Sequence, residues 1–167
     1  MDIRLLGSGD DALLRDVRLR ALEDAPYAFS SWHAREAALA DAFWTARVAE
    51  SEIARTGAIF AALDAGRSVG MAGGFLPDDE RADAVLWGMW VEPSARRRGI
   101  GRELLDAVAS WAREAGAQRL RLALAQDEVS RPAAALYRRL GFAQTGESEP
   151  LESNPSSIAL VMSRALQ

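Results

Sequence analysis

The sequence contains no lysine and no cysteine, and its only histidine is His33. A cysteine nucleophile, a disulfide framework and a zinc site built on thiolates are therefore excluded. The lack of lysine also excludes a Schiff-base nucleophile and a phosphate loop of the Gly-Lys-Ser/Thr type. A Ser-His-Asp site would have to use His33. Because all 20 basic residues are arginine, the positions of the arginines are the first guide to function.

Long apolar runs are also missing. No stretch of about 18 apolar residues occurs, so no transmembrane helix is predicted, and the first residues lack the basic and apolar regions of a signal peptide. The net charge of −4 and a pI near 5.1 disfavour general nucleic-acid binding, and no membrane partner is expected. With 167 residues, of which 49% are hydrophobic, residues 1–167 are predicted to form a single cytoplasmic domain.

Hydrophobic periodicity predicts the element order βααβββαβαββ, which is one mixed sheet with helices on both faces. The most regular helix is predicted over 98–116, with Gly116 as its stop signal. Residues 84–91 are apolar on both faces and predict a central strand covered from both sides. Further strands are predicted over 3–6, 58–63, 68–76, 119–125, 142–147 and 157–165, further helices over 11–25, 35–50 and 130–140, and polar loops over 77–83 and 145–157.

The segment between the central strand and the regular helix carries the strongest chemical signal. Gly99 and Gly101 leave backbone N–H groups uncovered at the start of the helix, where the helix dipole favours an anion. The string is not the GxGxxG pattern of a dinucleotide site. The segment therefore predicts a ligand with a pyrophosphate or several phosphates. Four arginines within seven residues add positive charge, namely Arg96, Arg97, Arg98 and Arg102.

Two motifs in this region resemble a known family. Residues 96–101, RRRGIG, resemble the R/Q-x-x-G-x-G/A acetyl-CoA signature of the GNAT N-acetyltransferase superfamily. Residues 130–142, SRPAAALYRRLGF, resemble the second segment of that family, N-x-x-A-x-x-L-Y-x-x-x-G-F. The specific resemblance covers about 84–147. It implies the α/β GNAT fold, with a mixed and mostly antiparallel sheet of about six to seven strands flanked by about four helices.

The resemblance also implies how acetyl-CoA binds. The central strand would splay from its neighbour and pair through its open backbone with the pantetheine arm, and the N–H groups of 97–102 would hold the pyrophosphate. Arg138 or Arg139 would approach the 3′-phosphate, and Ser130 stands where the family often has asparagine, with a shorter reach. No metal is expected. The implied cofactor contacts are Met89, Trp90, Val91, Arg96, Arg97, Arg98, Gly99, Ile100, Gly101, Arg102, Ser130, Tyr137 and Arg139.

Tyr137 stands where the family places its general acid. A phenol, with an ordinary pKa near 10, is protonated at neutral pH and can donate a proton to a departing thiolate. The competing interpretation is a core aromatic residue. For the general base, Glu92 at the end of the central strand is the best-placed carboxylate, although a solvated residue before Pro93 is equally consistent. His33, with an ordinary pKa near 6.5, and a chain of water molecules are the alternatives.

The acceptor pocket is predicted to be lined by aromatic residues and by the 145–157 loop. Aromatic walls favour an acceptor with an apolar or cationic part, and the alternative is that these rings are core. The acidic run Asp78, Asp79 and Glu80 would attract a cationic amine if it is more than a solvated loop. The aromatic residues are Tyr27, Phe29 and Trp32, together with Trp87 or Trp90.

The predicted function is transfer of an acetyl group from acetyl-CoA directly to a primary amine of a small molecule or peptide. Direct transfer fits the sequence because no cysteine is present to hold an acyl intermediate. A non-catalytic acyl-CoA-binding or regulatory module on the same fold is the alternative. A nucleic-acid-binding module is a distant third, since the net charge is negative. The resemblance is compatible with a homodimer.

Overall fold

The computed structural model describes residues 1–77, 83–151 and 154–167. In these ranges seven strands form one sheet in the order β1-β2-β3-β4-β5-β7-β6. All neighbouring strands are antiparallel except β4 and β5, which are parallel. The mixed, mostly antiparallel sheet is therefore confirmed. The strands are β1 Asp2–Leu5, β2 Gly57–Asp64, β3 Arg67–Phe75, β4 Asp83–Val91, β5 Arg119–Ala125, β6 Ala143–Leu151 and β7 Asn154–Ala165.

Two hydrophobic clusters lie on the two faces of this sheet. One contains side chains of α1 and α3, packed on Ile59 and Met71. The other contains side chains of α4 and α5, packed on Ala72 and Leu86. The α4 prediction is accurate to within two residues at each end because its apolar residues recur once per turn on a single face. The helices are α1 Asp11–Asp24, α2 His33–Ala37, α3 Asp41–Ile53, α4 Ile100–Glu114 and α5 Arg131–Arg139, with 3₁₀ turns at Pro26–Ala28 and Pro93–Ala95.

The single helix predicted over 35–50 is wrong. The chain forms two helices there, α2 and α3, separated by Ala40 in an extended conformation (φ −64°, ψ 153°). Alanine is the best helix former, so composition gives no sign of the break. The break accompanies tertiary contacts: the Glu36 carboxylate is bound by Arg18 of α1, and Leu39 packs against the cluster under α1.

The polar loop predicted over 145–157 is also wrong for the described residues. β6 runs to Leu151, and β7 begins at Asn154 and pairs with it. Residues 143–150 of this edge strand are exposed on both faces. A strand with no buried face lacks the alternation from which strands are predicted, so the two strands predicted over 142–147 and 157–165 fall short of the pairing that the structure shows.

The parallel pair β4 and β5 separates along its length. The two strands are in register only at Asp83 with Arg119, Ala84 with Leu120, and Val85 with Arg121. Beyond these pairs β4 continues to Val91 while β5 joins β7 on its other side. The splay that the resemblance implies is therefore present, and it opens next to the start of α4.

The glycines of β3 let large rings approach the sheet. A Cβ at Gly74 would lie 2.6 Å from Trp111 Cζ3 and 2.8 Å from Val108 Cγ1, whereas one at Gly57 on β2 would meet nothing closer than 3.5 Å. We expect Gly74→Ala to lower the free energy of unfolding by about 1–3 kcal/mol through overpacking. Gly57→Ala is the matched control, and equal urea-unfolding midpoints for the two variants would contradict this packing argument.

Candidate functional site

A β-bulge shapes the end of β4. Met71 of β3 pairs with Trp90, but Gly73 pairs with Trp87, so β4 carries one extra residue at this point. Gly88 in the bulge has φ +64°, a conformation that favours glycine. In a regular strand Trp87 and Trp90 would point to opposite faces. The bulge shifts the alternation, and both rings pack on the side of α1 and α3.

The loop before α4 presents free backbone donors. Arg97 (φ +63°) and Gly99 (φ +87°) are both left-handed, which turns successive N–H groups outward. Among the described residues, the N–H groups of 97–101 donate no hydrogen bond. The amides of Arg102 and Glu103 donate to the Gly99 carbonyl at 3.0 and 3.1 Å. The N–H groups of 97–101 are therefore free for the predicted anion, whereas the amide of Arg102, which the prediction included, is already engaged within the helix.

The splayed strand, this loop and α5 meet at Gly101. A Cβ there would lie 3.6 Å from Leu136 Cδ2, 3.8 Å from Val91 Cγ2 and 3.9 Å from Met89 Cε. Glycine at this position therefore keeps a narrow space open between the three elements. The structure brings together Met89, Val91 and Gly101 of the predicted cofactor set, and it adds Leu136.

The predicted phosphate-binding arginines divide into two groups. Arg96 donates to the Val91 carbonyl at 2.9 Å and to Asp24 at 2.6 Å, which fastens the loop to the end of α1. Arg98 donates to Asp64 at 3.2 Å, and Arg102 lies 3.6 Å from Asp106. In the described part of the chain no carboxylate pairs with the remaining three, which are exposed. These are Arg97, Arg138 and Arg139.

Trp90 has a structural side chain. It is 5% exposed, and its indole N–H donates to Asp24 at 2.9 Å. Because the ring faces α1, only the backbone of Trp90 can serve the cofactor contact that the sequence predicts. Ile100 is likewise buried under α4, and its backbone N–H is the group available to a ligand.

Tyr137 and Ser130 both lie at α5 and are buried. The Tyr137 ring is 6% exposed and meets Phe142 edge-on at 5.6 Å, and burial raises the pKa of the phenol well above its ordinary value. Ser130 makes no side-chain cap to α5, although its backbone N–H donates to Asp127 at 2.7 Å. Tyr137 therefore stays protonated at neutral pH, as an ordinary phenol does, while the raised pKa also makes it a weaker proton donor than a free phenol.

Glu92 is held by two arginines. Its carboxylate accepts from Arg67 at 2.5 and 3.1 Å and from Arg20 at 3.5 Å. The hydrogen bonds from Arg67 are the main cause that lowers the pKa of Glu92, and the charges of Arg67 and Arg20 act in the same direction. A carboxylate with a lowered pKa is a weak proton acceptor, so these contacts argue against the base role. His33 is exposed at the start of α2.

The predicted acceptor residues separate into two pairs. Phe29 and Trp87 lie close together: the same guanidinium, that of Arg18, is 4.9 Å from the Phe29 ring and 5.7 Å from the Trp87 ring. Tyr27 and Trp32 are 43% and 46% exposed, and Trp32 stacks with Arg35. The acidic residues Asp78, Asp79 and Glu80 lie outside the described residues.

Sequence reasoning missed four residues around Trp87. They are Arg18 and Glu36, which form a buried ion pair, Arg47 against the Trp87 ring, and Gly88 in the bulge. One signal was present. Arg18 lies midway between Leu14 and Leu22 on the buried stripe of α1, and a charged residue at an apolar position of a helix indicates a specific partner.

No group of three or more histidine, aspartate or glutamate side chains is arranged to hold a metal ion within 1–77, 83–151 and 154–167. Over the same part of the chain, no helix combines the length and the apolar character needed to cross a membrane.

Comparison with known proteins identifies the family to which this chain belongs. Residues 18–142 match the Acetyltransferase (GNAT) family. An IAA acetyltransferase of Azospirillum brasilense is 40% identical over 70 residues, which is 42% of this chain and less than half, 44%, of that protein.

The fold is similar to that of yncA from Salmonella typhimurium, solved with acetyl-CoA (TM-score 0.79, 18% identity, 100% and 94% of the two chains). It is also similar to that of the PaiA N-acetyltransferase from Thermoplasma acidophilum, solved with coenzyme A (TM-score 0.75, 15% identity, 99% of each chain). Since the family match spans most of its length and the fold agrees, the chain belongs to the GNAT acetyltransferase family.

Proposed function

We propose that the protein transfers an acetyl group from acetyl-CoA directly to a primary amine. The observation that carries the proposal is the row of free N–H groups at 97–101, set beside the splay of β4 from β5. A pyrophosphate needs several convergent N–H donors, and an extended pantetheine arm needs an open strand edge. Acetyl-CoA contains both parts, and two structural relatives were solved with acetyl-CoA or CoA.

In this proposal each element of the site has one task. The backbone of 89–91 pairs with the pantetheine arm, and the N–H groups of 97–101 hold the pyrophosphate. The exposed guanidinium groups of Arg97, Arg138 and Arg139 are available to the phosphates, which they can bind with two N–H groups at once. Arg96 acts indirectly, since its bonds to Val91 and Asp24 hold the loop in place.

The transfer itself requires two proton movements. The amine nitrogen bonds to the acetyl carbon, and the carbon–sulfur bond breaks. Tyr137 gives its phenol proton to the departing sulfur and is reprotonated from solvent, while water takes the proton that the amine loses. The proton donor must be protonated, and the raised pKa of Tyr137 keeps it so. The proton acceptor is water, so no side-chain base is required.

Glu92→Gln tests whether this carboxylate is the general base. Because the contacts with Arg67 and Arg20 make the carboxylate a weak proton acceptor, we expect the variant to lower kcat by less than about tenfold, whereas loss of a general base costs about 100-fold or more. The pH profile of kcat should keep its acidic limb. Steady-state rates between pH 6 and 9 decide the question, and a 100-fold loss with a displaced acidic limb would restore Glu92 as the base.

The function is tested by release of CoA thiol from acetyl-CoA in the presence of amines. The chain has no cysteine, so a thiol reagent reports only the product. Affinity for CoA is measured in parallel by calorimetry. Turnover with any primary amine, with N-acetyl product seen by mass spectrometry, supports the proposal. Tight CoA binding without turnover across amino acids, peptides, polyamines and aminoglycosides would instead indicate an acyl-CoA-binding module.

A further inference from the structure

Arg18 is a buried cation with one unused donor. The residue is 8% exposed, and its Nε and Nη2 donate to the two Glu36 oxygens at 2.9 and 2.8 Å. Its Nη1 is also buried and has no hydrogen-bond partner among the described residues. Buried N–H groups are usually paired. Arg15 Nε and Trp44 Nε1 are likewise without a partner among the described residues, and Arg18 Nη1 is distinguished from them by its place beside the bulge of β4.

The unused donor faces the bulge of β4. Arg18 Nη1 lies 3.7 Å from the place where a Cβ on Gly88 would stand, and the guanidinium lies against the Phe29 and Trp87 rings. Gly88 immediately precedes the stretch 89–91 that the proposed function assigns to the acyl donor. The donor N–H is therefore on the acceptor side of the strand at which transfer would take place.

A second arginine approaches the same indole from α3. The Arg47 guanidinium is 5.1 Å from the Trp87 ring, and both residues line a cavity of about 530 Å³ between α3 and the ends of β2 and β3. That volume suits a small metabolite. The ring face that a cationic acceptor would use is thus already in contact with the protein's own arginines.

The charges around Trp87 suit an acceptor that carries an anion. Burial opposes ionisation of Glu36, but the hydrogen bonds and charge of Arg18 outweigh it, and the pKa of Glu36 is lowered. The Arg18–Glu36 pair is therefore neutral overall and its remaining N–H is polarised. Arg47 and Glu50 each add one charge to the cavity wall, and an acceptor with a carboxylate and an amine complements both.

We propose that the acceptor is a small amine that also bears a carboxylate, and that Arg47 and Nη1 of Arg18 bind this carboxylate beside Trp87. A planar guanidinium binds a carboxylate through parallel N–H donors. This inference rests on the proposed function, because it names the substrate class of the same site. It adds a carboxylate to the acceptor with an apolar or cationic part that the aromatic residues alone suggested.

The test compares amino acids with their own amides. Acetyl-CoA and matched pairs, such as L-phenylalanine with L-phenylalaninamide and L-methionine with L-methioninamide, are assayed by thiol release. Each pair has the same side chain and differs at the carboxylate, which also changes the pKa of the α-amine, so rates are compared per neutral amine. We expect kcat/KM to favour the acid by about tenfold or more, because an unpaired buried donor penalises the analogue that lacks its partner. Equal rates, or a preference for the amides, would overturn the inference.

Two variants assign the effect to the arginines. Arg47→Gln should reduce the preference to about onefold by raising KM for the acid far more than for the amide. Arg18→Met combined with Glu36→Gln should do the same without stranding a buried glutamate. Arg113→Gln is the matched control, since this exposed arginine bonds Gln167 and Ser110 at the far end of α4. Equal losses on acid and amide in Arg47→Gln would count against carboxylate recognition.

A binding measurement separates this inference from the proposed function. N-acetyl-L-phenylalanine and its amide are titrated in the presence of CoA, with tryptophan fluorescence as the signal. Carboxylate-dependent binding that Arg47→Gln abolishes supports the inference even when no amine is acetylated, a result that overturns only the proposed function. Turnover of amines without carboxylate-dependent binding would overturn only the inference.

Discussion

Gly101→Val is expected to abolish CoA binding while leaving the fold intact. The Cβ has ordinary room, with its nearest atom at 3.6 Å, and valine is a better helix former than glycine. Its methyl groups, however, fill the space between Met89, Val91 and Leu136 and cover the neighbouring N–H groups. Loss of two charge-assisted hydrogen bonds, each about 1.5–3 kcal/mol, predicts a CoA dissociation constant raised by about 100-fold or more.

The measurement for this variant is calorimetric titration with CoA beside thermal unfolding. Ala107→Val is the matched control, because it adds the same two methyl groups at a half-buried position of α4 that none of the proposed contacts uses. We expect Ala107→Val to bind CoA like the parent protein. A Gly101→Val protein that is folded and binds CoA normally would show that the predicted anion site is not the binding site.

Tyr137→Phe is expected to separate catalysis from binding. The change removes only the hydroxyl and keeps the ring against Phe142. Loss of a general acid predicts kcat lower by about 100- to 10,000-fold, with the dissociation constant for CoA within about threefold of the parent. Steady-state thiol release and calorimetry give the two numbers. A folded variant with unchanged kcat would make Tyr137 a core aromatic residue and nothing more.

The same residue predicts the pH dependence. A phenol with an ordinary pKa near 10 begins to lose its proton at about pH 9, and catalysis by such an acid would decline from there. Burial raises the pKa of Tyr137, so the protonated acid persists to higher pH. We therefore expect kcat in the parent enzyme to show no basic limb up to about pH 10.

The elements with strong periodicity were predictable from sequence. The α4 helix shows one apolar residue per turn, and β5 was predicted with the same bounds that the structure has, Arg119–Ala125. Glycines at 99 and 101 indicated the anion site because their meaning is local: a positive φ and a missing side chain act on the adjacent backbone. The predicted bounds of the weakly patterned elements were wrong, since nothing in an alanine-rich helix or a fully exposed strand indicates where it ends.

By itself, the sequence determined which residue chemistries are excluded, where the proposed phosphate-binding loop lies and which family the chain resembles, because each depends on residue type and on short spacing along the chain. Only the tertiary structure decided which arginines are free. Arg96 and Arg98 look equivalent to Arg97 in the sequence, yet the fold brings Asp24 and Asp64 to the first two. The fold likewise places Arg18 beside Trp87 and shifts the pairing of β4 with β3 by one residue at Gly88. These features arise from contacts between residues far apart in the chain, which no local pattern records.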